Sequence, residues 1–138
     1  MKSSLINTYL RIAKEMATES KAKRLKVGAV IIRDGRSIMS GYNGCVAGGS
    51  NTCEYEVDGK LVTVPELIHA EENAILWCAR KGVATENTTM ICTHSPCFEC
   101  AKSIAQCGIK ELYYETEYRI TDGIDYLRIN NIKVEKIS

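Results

Sequence analysis

The chain has 138 residues, 45% of them hydrophobic, and a formal net charge of +1. That length suits one folded unit with its own core, and the near-neutral balance argues against a broad surface for long nucleic acid. The seven cysteines follow a polar start without a secretory apolar core. No run approaches membrane-spanning length, so the expectation is a cytoplasmic, reduced protein with buried or metal-bound thiols.

Leu5, Tyr9, Ile12, Ala13 and Met16 recur at helical spacing and predict an amphipathic helix over 4–20. Lys21, Lys23, Arg24 and Lys26 follow; such a cluster reads either as a solvated helix end or as a phosphate or effector contact. An apolar, β-branched run predicts a strand over 27–33. Asp34-Gly35 then turns the chain into a partner strand over 36–42. Gly41-Tyr42-Asn43-Gly44 leaves the sheet in a segment that tolerates positive φ. Residues 45–65 are the least regular, with a small hairpin expected around Asp58-Gly59 between 55–57 and 61–64.

A second helix is expected over 70–81, closed by Gly82 as its C′ residue. Trp77 and Arg80 lie three apart on it, either as a core aromatic and a surface cation or as a subunit or effector contact. A third strand follows over 88–93, a third helix over 97–107 stopped by Gly108, and a fourth strand over 109–114. A short helix over 122–129 and a fifth strand over 132–134 complete the chain. Helices alternate with strands after the first hairpin. The pattern predicts an α/β fold, three-layer α/β/α, with a mixed five-stranded sheet whose later strands are parallel.

Two segments carry chemistry: His69-Ala70-Glu71 and Pro96-Cys97-Phe98-Glu99-Cys100. One imidazole and two thiolates supply three corners of a zinc tetrahedron and leave the fourth for water. Cys97 and Cys100 share a face if they open a helix, and a helix start favours the thiolates that zinc needs. Glu71 then stands beside the metal as proton carrier, able to serve a water, a ring nitrogen and a departing amine in turn. His94, three residues before Cys97, is the rival imidazole, or a group flanking a base. The metal is assigned to His69 because Ala70 and Glu71 follow it.

The spacing H-x-E followed by P-C-x-x-C marks zinc nucleobase deaminases. His69 to Ile75, Val27-Gly28-Ala29-Val30, Gly41-Tyr42-Asn43-Gly44, Ser95-Pro96-Cys97 and the Tyr118-Arg119 region together resemble the deoxycytidylate (dCMP) deaminases of the cytidine deaminase-like superfamily, in its phage type. The resemblance implies one zinc-dependent deaminase domain over 1–138 that converts dCMP to dUMP and ammonia for thymidylate supply. It implies substrate contacts at Asn43, Ala70, Ser95, Tyr118 and Arg119, with Arg119 toward the phosphate and Tyr118 either stacking on the base or bonding the phosphate through its hydroxyl. It also implies effector or subunit contacts at Lys26, Gly44, Trp77 and Arg80. The family is usually hexameric, activated by dCTP and inhibited by dTTP with Mg2+, so a homo-oligomer is expected. Some phage members hold a second zinc near Cys45 and Cys53, but its companion ligands are missing from Glu19-Ser20-Lys21-Ala22 and only two histidines exist. One zinc is therefore expected. The alternatives are a superfamily deaminase acting on a free base or tRNA, and an inactive nucleotide sensor.

Overall fold

The computed structural model describes all residues, Met1–Ser138. Helix α1 (Ser3–Ala17) leads into strands β1 (Gly28–Arg33) and β2 (Arg36–Tyr42). A ribbon of β3 (Glu54–Val57) and β4 (Lys60–Thr63) follows, then α2 (Ala70–Lys81), β5 (Thr89–His94) and α3 (Phe98–Gln106). Strand β6 (Glu111–Thr116), α4 (Asp122–Ile129) and β7 (Lys133–Lys136) finish the chain. The main sheet has the order β2-β1-β5-β6-β7, and β3-β4 forms a separate two-stranded sheet. Strand β1 is antiparallel to both neighbours, whereas β5, β6 and β7 run parallel. The sheet is therefore mixed, as expected, because helical crossovers return the later strands in one direction.

The core has two unequal parts. Val30, Ile32, Ile91 and Tyr113 meet Leu10 and Ala13 of α1 on one face. The opposite face carries the larger cluster, in which Ala29, Ile31, Met90 and Leu112 meet α2, α3 and α4. Alternation along β1 sends Val30 and Ile32 to α1, and Ala29 and Ile31 to the other three helices. No helix is long and apolar enough to cross a membrane.

Two glycines let helices close on the hairpin from opposite sides. A Cβ on Gly28 would strike the Ala13 carbonyl of α1, and one on Gly41 would stand 2.6 Å from the Ala70 carbonyl oxygen of α2. Gly28→Ala is expected to destabilise the protein by roughly 1–3 kcal/mol through overpacking, read as a lower urea midpoint. An unchanged midpoint would mean that α1 can shift without loss.

Several boundaries differ from expectation. Helix α1 ends at Ala17 and not at residue 20. The Thr18 hydroxyl folds back on the Glu15 carbonyl, and Ser20 turns away to donate to the Asn43 carbonyl at 2.8 Å. Both local bonds compete with helix propagation. Strands β5, β6 and β7 each start one or two residues late, because cross-strand pairing sets their extent: Thr89 pairs with Glu111, and Glu111 with Lys133. Helix α3 starts at Phe98, so Cys97 is its N-cap in extended backbone and not part of its first turn. The two Asp-Gly turns stand as read, with positive φ at Asp34, Gly35, Asp58 and Gly59.

Candidate active site

Helices α2 and α3 begin side by side beyond the carboxyl ends of β2 and β5, where open α/β sheets hold their ligands. His69 is the N-cap of α2 in extended backbone, and Cys97 has the same place on α3. Cys100 lies one turn into α3 and is 1% exposed. The ligand atoms of His69, Cys97 and Cys100 all lie within 4.8 Å of one another. The His69 Nδ1 is 3.2 Å from the Cys100 Sγ and 3.4 Å from the Cys97 Sγ. One nitrogen and two sulfurs converging from two helix starts are a donor set suited to zinc, and three protein ligands would leave a fourth corner for a water. His94 is not in this group. Its Nδ1 lies 2.7 Å from the Thr93 hydroxyl, and its ring stacks on Tyr118 with centroids 5.6 Å apart.

The electrostatics fit the same centre. The Cys97 thiol is drawn down to about 4, first by its hydrogen bond with Cys100 and then by His69. Cys100 moves upward, because the two thiols share a proton and burial disfavours a second charge. His69 is held above its ordinary value by its bond to Cys97. A cation between the sulfurs would release that shared proton and favour both thiolates.

Glu71 occupies the first turn of α2 and is 4% exposed. It lies outside the set of converging ligand atoms. Burial pushes its carboxyl up to about 7, within the range where a group can both take and give a proton near neutrality. Below it, on β5, Cys92 is fully buried and its thiol is pushed up, by burial and by the Glu71 charge.

These groups open into a cleft of about 480 Å³ whose wall includes Val27, Asn43, His69, Ala70, Glu71 and Tyr118. That volume is in the range of small-molecule sites. Ala70 is fully buried at the cleft wall. Asn43 is 5% exposed, and its amide acts as a staple: Oδ1 accepts from the Val27 amide at 2.9 Å, and Nδ2 donates to the Leu25 carbonyl at 2.8 Å. Its direct part is thus to hold the segment before β1 against the end of β2. Asn73 plays a similar part on α2, donating to the Tyr42 carbonyl at 2.8 Å. Ser95 is buried behind the wall, where its hydroxyl accepts from the Tyr118 amide at 2.9 Å and so sets the loop that carries Tyr118.

Tyr118 and Cys97 line both the cleft and an adjoining cavity, which Arg119 lines with Phe98, Glu99, Ile120 and Asp122. The cation that lines the cleft is Arg24, one of the four basic residues within 21–26 that read either as a solvated helix end or as a phosphate or effector contact. Glu54 and Thr63 of the ribbon stand with it, and no local spacing linked those positions to residue 24. Gly44, Trp77 and Arg80 border another cavity, of about 240 Å³, where the Arg80 guanidinium lies 4.6 Å above the Trp77 ring. Lys26 is exposed and borders neither that cavity nor the cleft. Cys45 and Cys53 lie on the loop between β2 and β3, with Cys53 buried and neither disulfide-bonded.

Residues 3–116 match the family model for the cytidine and deoxycytidylate deaminase zinc-binding region. The chain is 45% identical over 107 residues to ComE operon protein 2 of Bacillus subtilis, covering 75% of this chain and 55% of that protein. It is 40% identical to the deoxycytidylate deaminase of enterobacteria phage T4, over 81% of this chain and 78% of the phage protein. The chain thus spans about half of the bacterial relative and over three quarters of the phage one. Among solved structures, that of dCMP deaminase from cyanophage S-TIM5 in complex with dCMP and dUMP superposes with a TM-score of 0.91 at 42% identity, covering 99% of this chain and 98% of that one.

Proposed function

The chain belongs to the cytidine and deoxycytidylate deaminase family, and from that premise we propose that it hydrolyses dCMP to dUMP and ammonia. The observation that carries the reading is a buried carboxylate, Glu71, beside a converging His69–Cys97–Cys100 donor set in one cleft. The complex of the cyanophage relative with dCMP and dUMP supports the choice of substrate.

His69, Cys97 and Cys100 would hold the zinc, which when bound would make water acidic enough to lose a proton near pH 7. Glu71 does the proton work. Its carboxylate takes the proton of the attacking water and passes it to N3 of the cytosine ring, which makes C4 a better electrophile. Glu71 then takes the second proton of that water, from the hydroxyl now on C4, and delivers it to the exocyclic amine as the C4–N bond breaks. One oxygen enters at C4, ammonia leaves, and the ring becomes uracil. Burial supports both halves of this role by keeping the carboxyl near neutrality. Tyr118, backed by His94, forms an aromatic wall for a flat base. Asn43 keeps the opposite rim in place.

The reading extends to regulation. The cavity at Gly44, Trp77 and Arg80 lies apart from the cleft and offers an aromatic face with a cation above it, features that suit a nucleoside triphosphate effector or a second subunit. Seven unpaired thiols suit the cytoplasm.

A substrate panel tests the activity. Zinc-loaded protein should release ammonia from dCMP faster than from cytidine, cytosine or an anticodon stem-loop. A preference for the free base or the stem-loop would move the chain to another branch of the superfamily. Nucleotide binding without turnover would make it a sensor.

A further inference from the structure

We infer that Thr93 and His94 are positioning residues for the substrate base, and this rests on the reading of the chain as a dCMP deaminase. The Thr93 hydroxyl holds His94 as the neutral imidazole protonated at Nε2, and that ring sets the Tyr118 wall of the cleft.

The end of β5 supplies the geometry. Its antiparallel ladder with β1 runs as far as Ala29 opposite Cys92. The next amide, that of Gly28, donates to the Thr93 side chain, with N and Oγ1 3.1 Å apart. Thr93 is 4% exposed, so its hydroxyl proton also needs a protein acceptor. The other group at its oxygen is the His94 Nδ1, at 2.7 Å. A proton on Nδ1 would make the hydroxyl accept twice and leave its own proton buried without a partner, which is the costly arrangement. The imidazole is therefore the acceptor, and its single proton sits on Nε2. Burial favours the same neutral state by lowering the His94 pKa, against a weaker upward pull from Glu115.

The ring fixed in this way lies against Tyr118, with centroids 5.6 Å apart and planes 22° from parallel. On the next residue, the buried Ser95 hydroxyl accepts from the Tyr118 amide at 2.9 Å. His94 thus sets the tyrosine ring, and Ser95 its backbone. Tyr118 is 36% exposed and needs this support, because a ring free to change rotamer must be ordered when the base arrives, at a loss of affinity. His94 lies outside the zinc donor set and does not line the cleft, so it acts through Tyr118 and not on the reacting atoms.

The chain has two histidines, so nitrogen-15 imidazole spectra of the untagged, zinc-loaded protein contain two rings, and His94→Phe assigns them. Wild type at neutral pH should show His94 with a bare, hydrogen-bonded Nδ1 and a protonated Nε2. Thr93→Val should shift the Nδ1 signal as the bond is lost, and Thr93→Ser, which keeps the hydroxyl, should restore it. A proton on Nδ1 in wild type overturns the inference whatever the variants do.

Kinetics read the consequence. His94→Ala should raise KM for dCMP about 3- to 10-fold, the worth of a stacked aromatic pair, with kcat and zinc content close to wild type. KM for deoxycytidine should rise by the same factor, because the wall meets the base and not the phosphate. His94→Phe, which keeps an aromatic ring behind Tyr118, should recover most of the loss. Thr93→Val should raise the dCMP KM by a smaller factor. Adding it to His94→Ala should change nothing further, since Thr93 works through the imidazole. A KM unmoved in His94→Ala, or a double variant in which the two losses add, overturns the assignment.

Equilibrium binding of dUMP separates this inference from the deaminase reading. If His94→Ala and Thr93→Val bind dUMP more weakly than wild type, the wall stands even where no cytosine compound is turned over, and only the deaminase reading falls. Binding of dUMP that is equal in wild type and His94→Ala, or absent from both, overturns the inference itself.

Discussion

Glu71→Gln should leave a folded, zinc-loaded protein whose turnover of dCMP is about 10²- to 10⁴-fold slower, the usual contribution of a positioned general acid–base. Glutamine has the shape of glutamate and can keep hydrogen bonds in the 4%-exposed site, so packing is little changed. It removes only the capacity to carry a proton. Because Glu71 lies outside the donor set, the zinc content should stay at the wild-type level. KM for dCMP should change little beside kcat, since the lost interaction belongs to the transition state. The measurements are elemental analysis of the purified variant and steady-state kinetics. Retention of more than about a tenth of wild-type kcat would remove Glu71 from the proton transfers, because a general acid–base is worth far more than that.

Cys100→Ala should have the second large effect, with a different signature. Its sulfur is buried and lies 3.2 Å from the His69 imidazole, so its loss takes one of three protein ligands from the metal. Metal affinity should collapse, and activity should fall in proportion to the zinc lost. Cys107→Ala is the matched control. Cys107 follows the same helix, but its sulfur faces the Ile104 carbonyl at 3.4 Å and lies outside the donor set. It should retain zinc and turnover. Equal zinc in both variants would dismiss the assigned ligand set. Full activity of a Cys100→Ala protein shown to be zinc-free would dismiss the metal from the reaction.

The two experiments divide the site between its parts. One variant keeps the metal and loses the proton carrier; the other keeps Glu71 and loses the metal. The structure explains why the parts can be separated. Glu71 follows His69 into α2, while the sulfurs come from the start of α3. Both helix N-termini point at the site, and their positive ends favour the anions gathered there.

Much of this was legible in the residues. His69, Glu71, Cys97 and Cys100 are spaced by two short motifs, and a helix start presents such residues in one direction wherever it packs. The two Asp-Gly turns and the helix-terminating Gly82 are local signals too, and all have the positive φ they require. Strand and helix order followed from periodicity, and with it the mixed sheet. The reading of Asn43 was less complete: the segment does border the cleft, but its amide first holds Val27 and Leu25, partners that no pattern at residue 43 announces.

The sequence alone determined the chemistry of the centre and the order of the elements, since both rest on neighbours within a few residues of one another. The tertiary structure decided which cation faces the cleft. Arg24 and Arg119 are both arginines in irregular segments, and the spacing of their neighbours does not say which cavity each one lines. Only the packing of the β3–β4 ends against residues 23–24 puts Arg24 in the lining of the cleft that holds Glu71, while Arg119 lines the cavity that adjoins it at Cys97 and Tyr118. That choice depends on contacts between residues 30 to 39 positions apart, which periodicity and turn chemistry do not encode.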